Sequence, residues 1–441
     1  MTKDIKDIND KDFQKFNSDL QNTPASSALA RTVQQNGVIA SSKNYAEKRQ
    51  LKRTFSVDLE TSAVTNQKKS GRCWLFATLN TLRHVVEKKF KIKDFQFAQN
   101  YNSFYDRLEK ANHYLEEMIR LADRPADDRE LLFEFKWNDN DGGQWANAPA
   151  LINKYGLVPK EAMPETFASS NTADLNLTLN LELSKAAMKI RHMKAAGKSD
   201  EELRAFKKEA MSDVYRMLVY AFGKPPVKFD FEYRDTDDNY HIDKDITPKE
   251  FFDKYCGRDF DEYVCLLDAP DHEMNKKYGL PSQDYIYNGK HIELLNIGLK
   301  DVKAAAIDSL KAGEPIWFGC DVLQDMDRQE GYLAPEFFKQ GDLFNIDLEL
   351  SKADRLASRN GQVSHAMTLT GVDLVDGKPT KWKVENSWGD KIGDKGYFIM
   401  TDAWFDKYVY EVIVNKKYIS DAAKKIDQQT KVDLPAWDSL Q

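Results

Sequence analysis

Cys73 stands where the polar, glycine-bearing loop Gln67-Lys68-Lys69-Ser70-Gly71-Arg72 runs into the apolar stripe Leu75, Phe76, Leu79, Leu82, Val85, Val86. A thiol in the first turn of a helix meets unpaired backbone N–H groups and the positive end of the helix dipole, and both favour a thiolate. Arg72, Lys68 and Lys69 add positive charge. The same segment also fits a core cysteine that happens to open a helix. A thiolate nucleophile needs a base, and the base needs a group to orient it. His365, at the head of Ala366-Met367-Thr368-Leu369, fits that base or a satisfied core histidine. Twenty-one residues on, Glu385-Asn386-Ser387-Trp388-Gly389 supplies an asparagine. That interval suits an adjacent antiparallel strand after one hairpin, which sets Asn386 beside the imidazole. Its amide oxygen is expected to accept the Nδ1 proton, fixing tautomer and ring angle without adding charge, while Trp388 shields the bond from water.

The remaining cysteines, Cys256, Cys265 and Cys320, lie among apolar or aromatic neighbours and form no Cys-x-x-Cys pair. They are expected to be buried and inert, and the histidines near them lack the spacing of zinc ligands. No metal or cofactor is expected.

Several elements must hold these groups. A helix from Gly71 or Arg72 to Lys88-Lys89 carries the thiol and ends in cations. Helical patterns follow at Tyr105 to Asp123 and at Ala146 to Lys154, the second ending in Tyr155-Gly156. Ser199 and Glu202 form a Ser-x-x-Glu capping box ahead of a periodic run that Gly223 and Pro225-Pro226 stop. With Leu181 to Lys194 before it, this run reads as a helical hairpin. Val227 to Tyr233 alternates like a strand, and strand-like runs appear at Pro315 to Val322, His365 to Leu374, Lys381 to Glu385, Gly396 to Thr401 and Tyr408 to Val414. A helical front half and a β-rich back half make an α+β protein. The expected divisions are an N-terminal arm over residues 1–54, a helical lobe over 55–165, a mostly helical insertion over 166–270, a β-rich lobe over 271–420 and a tail over 421–441.

The chain has 441 residues, of which 41% are hydrophobic and 31% charged, the balance of a globular protein with ample core. Its 64 basic residues against 71 acidic ones leave a formal charge of −7, which argues against general binding to nucleic-acid backbones. The basic cluster Lys185, Lys189, Arg191, Lys194 reads as a solvated helix face. Four cysteines are no disulfide framework, Met1 to Phe16 has no apolar core of a signal peptide, and no apolar run spans a bilayer. A reduced, cytoplasmic protein is expected, with no membrane or nucleic-acid partner.

The segments around Cys73, His365 and Asn386 resemble those of papain-like cysteine peptidases. Gln67 precedes the cysteine by the family's six-residue interval, which implies an oxyanion-hole role for its side chain. Gly142-Gly143-Gln144-Trp145 resembles the family's Gly-Gly wall of the substrate cleft, where Gly142 and Gly143 would present backbone groups to substrate. The wording of Gln67 to Trp74, the helical insertion and Leu434-Pro435-Ala436-Trp437-Asp438 are similar to the aminopeptidase C and bleomycin hydrolase branch. The resemblance implies a two-lobed papain-like fold with terminal arms, a Cys-His-Asn thiol mechanism on peptide substrates, and a homohexamer with its sites facing an enclosed channel.

In that branch the C-terminus enters the cleft and binds the substrate's free α-amino group, giving an aminopeptidase. Here Gln441 stands three residues after Asp438, a tail shorter than the family's, which keeps an oligopeptide endopeptidase open. A hydrolase of small non-peptide amides would use the same first step.

Overall fold

Cys73 opens a helix that runs to Phe90, with Arg72 as its N-cap and Lys88 and Lys89 in its last turn. This helix is nearly all buried, including Trp74, Leu75, Phe76, Leu79 and Leu82. In this computed structural model residues 7–136 and 139–441 are described. One unit comprises Thr54–Leu333 with Lys352–Gln441, and a second comprises the chain up to Arg53 with Ala334–Ser351.

The larger unit is built on a mixed sheet. Its strands lie in the order Val432–Asp433, Lys276–Gly279, Leu294–Asn296, Tyr263–Leu267, Val409–Asn415, Ile316–Cys320, His365–Val375, Lys378–Glu385, Tyr397–Thr401, Tyr332–Leu333 and Met326–Asp327. Val57–Asp58 pairs with the far end of the His365 strand. The strand Tyr263–Leu267 pairs with Val409–Asn415, so the stretch expected to be insertion contributes a strand to the sheet. Its Val-Cys-Leu-Leu core is a continuous apolar run, in which periodicity cannot separate strand from helix.

The central strands bury both faces and lack alternation for that reason. Trp317, Ala366, Tyr410 and Ile413 pack with Trp74, Leu75 and Leu79 of the Cys73 helix on one face. Phe318, Met367, Val412 and Val414 pack with Val302, Ala306 and Leu310 of the Leu299–Lys311 helix on the other. A register shift between Val409 and Glu411 adds a residue to the Val409 strand, a bulge of the kind that re-aims a side chain.

The hairpin of helices expected in the middle of the chain is Ala173–Ala195 and Asp200–Phe222. Ser199 accepts from the Glu202 N–H and Glu202 reaches back to the Ser199 N–H, the reciprocal capping box. Leu183, Ala187, Leu203, Val214 and Leu218 form one apolar cluster with Phe104, Leu115 and Met118 of the Gln99–Arg120 helix. The hairpin thus buttresses the helical side of the unit. Phe229–Arg234 and Tyr240–Ile246 form a separate two-stranded sheet.

The tail over 421–441 holds a helix at Asp421–Asp427 and the short strand Val432–Asp433, parallel to Lys276–Gly279. These elements are too short to show a period in the sequence.

In the smaller unit, Asn9 caps the helix Asp10–Asn22 by accepting from the Lys11 N–H, and no residue of that helix or of Ser26–Asn36 is buried. Asn44 N–H donates to the Phe337 carbonyl at 2.8 Å, and Tyr45 meets the Phe337 ring edge-on at 5.9 Å. Among the described residues no helix is long and apolar enough to cross a membrane.

Candidate active site

The thiol of Cys73 is half-buried at the first residue of its helix. The backbone N–H groups of Cys73, Trp74 and Ala366 act on its sulfur, which lies 3.9 Å from the Gly71 carbonyl. Ala366 directly follows His365 on its strand, so the sheet and the helix N-terminus converge on one sulfur. Trp317 Nε1 donates to the Trp74 carbonyl at 3.0 Å and Thr368 Oγ1 to the Ala77 carbonyl at 3.4 Å, which fixes the helix against the strands.

The strands His365–Val375 and Lys378–Glu385 are antiparallel neighbours, with Thr368 opposite Glu385. Asn386 is thereby brought to the imidazole, its Oδ1 3.0 Å from the ring. The nitrogen it meets is Nε2, not the expected Nδ1. Nδ1 lies close to its own backbone, whereas Asn386 approaches from the next strand, about 4.8 Å away, so the outer nitrogen is the one in reach. Asn386 Oδ1 also accepts the Ser387 N–H at 2.8 Å, which identifies that atom as the oxygen. Nε2 must then be the donor, and Nδ1 is left to exchange a proton elsewhere. Trp388 lies against the imidazole with ring centroids 4.9 Å apart, and the Arg328 guanidinium sits 4.5 Å from the indole centroid.

Burial pushes the Cys73 thiol up, against the pull of the three backbone donors. Burial likewise pushes His365 down to about 4, opposed by its bond to Asn386. Neither group readily carries a charge alone.

Gln67 is buried and held on three sides. Its Nε2 donates to the Ser70 carbonyl at 2.6 Å, its Oε1 accepts from Ser387 Oγ at 2.6 Å, and its N–H donates to the Ser387 carbonyl at 2.8 Å. The Ser70 carbonyl accepts only from nitrogen, so the carboxamide orientation is fixed, with a second Nε2 hydrogen uncommitted by these bonds. Next to it, Asn66 bridges to Trp388, and a Cβ on Gly389 (φ +79°) would fall 2.3 Å from Asn66 Nδ2. Ser387 is a residue that sequence reasoning missed, since a serine beside an asparagine carries no signal of its partner.

The two glycines differ. The Gly142 N–H donates to Asn140 Oδ1 at 2.8 Å and its carbonyl accepts from Lys110 Nζ, so both its polar groups are engaged within the chain. Gly143 has no hydrogen bond to its N–H or carbonyl among the described residues. A Cβ there would lie 2.6 Å from the Trp74 indole, so the missing side chain makes room for that ring. Asp141, also missed, couples this wall to the thiol loop. Its carboxylate accepts from the Gly71 N–H at 2.8 Å, from Arg107 at 2.7 Å and from the Thr172 hydroxyl, and its carbonyl accepts Trp74 Nε1 at 2.8 Å. Burial would raise this carboxyl, but Arg107 and the donors hold it below its ordinary value.

Gln441 lines a cavity of about 360 Å³ together with Gly142, Gly143, Val363 and Ser364. The segment before it is pinned throughout. Leu434 N–H donates to the Gly279 carbonyl at 2.9 Å, the Arg129 guanidinium stacks 4.1 Å over Trp437, and His272 lies between Asp271 and Asp438. Leu440 is fully buried.

A thiol at the head of a central helix, facing a strand whose histidine is held by asparagine, sets this α+β fold in the papain-like class. The chain belongs to the Peptidase C1-like family, whose profile matches residues 7–441. It is 49% identical to Aminopeptidase E of Lactobacillus helveticus over 97% of this chain and 98% of that one. It is 47% identical to Aminopeptidase G of Lactobacillus delbrueckii subsp. lactis, again over 97% and 98%. The crystal structure of PepW from Lactobacillus rhamnosis matches with a TM-score of 0.96 at 46% identity, covering 99% of each chain.

Proposed function

We propose that the chain is a cysteine aminopeptidase that hydrolyses short peptides through Cys73, His365, Asn386 and Gln67. The observation that carries this reading is the meeting of the Cys73 sulfur with the Ala366 N–H, one residue from an imidazole held by Asn386. Disfavouring the charged imidazole by burial is worth about 3 kcal/mol, from its shift to about 4. An opposite charge about 4 Å away at a protein's effective dielectric returns about 4 kcal/mol. Burial disfavours the thiolate as well, so neither group ionises alone; in this reading they ionise as a pair, by transfer of the thiol proton to Nδ1, with the attraction between them offsetting part of the cost.

The thiolate attacks the peptide carbonyl, and the oxyanion accepts from the second Nε2 hydrogen of Gln67 and from the Cys73 N–H. The C–N bond breaks as His365 gives its proton to the departing amine. Water, deprotonated by His365, then releases the acyl group and the thiolate leaves. Asn386 keeps the ring aligned through both steps. Gly143 offers its free N–H and carbonyl to the substrate backbone. The names of the curated relatives support attack from the amino end, and Gln441 lines the cavity beside Gly143.

A second reading, an oligopeptide endopeptidase, is favoured by the cavity itself, in which Gln441 is one lining residue among several. Product analysis on matched free and N-acetylated peptides separates the two. Cleavage only of the free form supports the aminopeptidase, and equal cleavage of both supports the endopeptidase. Peptidase activity that survives Cys73→Ala, with contaminants excluded, would overturn either. By family resemblance we also propose a cytoplasmic homohexamer, which a monomeric mass in solution would refute.

A further inference from the structure

The cavity beside Gln441 has one acid on its wall that no cation answers. Glu134 belongs to the helix Arg129–Lys136, is 7% exposed, and lines the same space as Gly143 and Gln441. Among the described residues its carboxyl makes no hydrogen bond and no ion pair. Nearby cations are engaged elsewhere. Lys110, on the cavity wall, is bound to Asp106 at 2.8 Å, to the Asn140 carbonyl at 2.8 Å and to the Gly142 carbonyl. Arg120 is bound to Glu117 and to Glu130, the latter at 2.6 Å. His113, also on the wall, has both ring nitrogens buried and unpartnered.

We propose that Glu134 is the receptor for a cationic group of the peptide substrate: an α-ammonium, or the side chain of a lysine or arginine. This rests on the peptidase reading and deepens it. A buried carboxyl without a partner is costly, and the cost is removed when a cation arrives in the same space. Burial, aided by Glu117 and Glu130 and only partly opposed by Arg120, pushes Glu134 up to about 7, so an incoming positive charge meets a group that gains from ionising beside it. The placement is built: the stacking of Arg129 on Trp437 ties this helix to the segment that ends at Gln441. The plain alternative, a protonated acid that only fills space, predicts no change in substrate selectivity when the charge is removed.

The test uses the full chain and Glu134→Gln, with Glu134→Asp as the conservative control and melting curves to confirm folding. One arm compares free and N-acetylated forms of the same peptide, the acetylated form by its Ki as a competitor where it is not cleaved, and the other compares free-amine peptides bearing lysine or norleucine before the cleaved bond. The expected result is an about tenfold or larger fall in the cationic-to-neutral ratio of kcat/KM in Glu134→Gln, restored in part by Glu134→Asp. The arm in which the ratio falls names the source of the cation. Ratios unchanged in both arms overturn the proposal. Should no peptide be cleaved at all, the peptidase reading fails separately, and calorimetry on Cys73→Ser protein decides the present one. N-acetyl-norleucinamide binding as tightly as both norleucinamide and N-acetyl-lysinamide, or an unchanged preference for the cationic amides in the added Glu134→Gln background, would then refute it.

Discussion

Ser387 donates its hydroxyl to the side-chain oxygen of Gln67 at 2.6 Å while accepting the Gln67 backbone N–H at 2.8 Å. Two segments 320 residues apart in sequence are thereby held in one register. The same serine follows Asn386, so the group that aligns the imidazole and the group proposed to receive the oxyanion share a mount.

Gln67→Ala is expected to lower kcat by about 10²–10³, the usual effect of losing one oxyanion donor. Ser387→Ala keeps the donor and loosens it, so a smaller loss, about tenfold, is expected in kcat/KM, consistent with one charge-free hydrogen bond. Steady-state kinetics on one peptide measure both. A Gln67→Ala enzyme within twofold of the parent would remove Gln67 from the mechanism.

The pH dependence of alkylation tests the coupling of sulfur and imidazole. With His365 present, Cys73 should react with iodoacetamide well below the ordinary thiol range, because the proton moves to Nδ1. In His365→Ala only burial and the backbone donors remain, and the thiol lies above its ordinary value. Its alkylation should then rise steadily toward alkaline pH. Superimposable profiles for the two proteins would contradict pair formation.

Gly143→Ala and Gly142→Ala should differ. The first drives a methyl to 2.6 Å from the buried Trp74 indole, the second only to 3.0 Å from the side-chain oxygen of Asn140. Overpacking of this kind costs about 1–3 kcal/mol, so Gly143→Ala should melt lower than Gly142→Ala. Equal melting temperatures would show that the indole yields freely.

Glu411, brought by the strand bulge against Gly319 on the Cys73-helix face, is buried with Oε1 unpartnered, and burial alone pushes it up to about 7. Its folded value exceeds the unfolded one, so the native state holds the proton more tightly. Its contribution is most favourable at acid pH and declines as pH rises from about 4.5 to about 7. Glu411→Gln should remove that decline, worth about 3 kcal/mol at most, as read from urea melts at pH 5 and pH 8. An identical pH dependence in both proteins would exclude Glu411 as its source.

Much of the site was legible because its parts are local. The loop-to-helix boundary at Cys73 and the hairpin interval from His365 to Asn386 are short-range patterns, and strand pairing follows from them. The nitrogen used by His365 was not, since it depends on the spacing between strands. Nor were Ser387 and Asp141, whose partners lie hundreds or tens of residues away and leave no period. The strand Tyr263–Leu267 was hidden by being apolar throughout, and the elements of the tail by their brevity.

The lashing of the last eight residues to Gly279, Arg129 and His272 has a practical corollary. A protease added to the folded protein should find residues 434–441 a poor target, because their backbone and side chains are already spoken for. Clipping there should quicken in His272→Ala, which frees Asp438 from its imidazole.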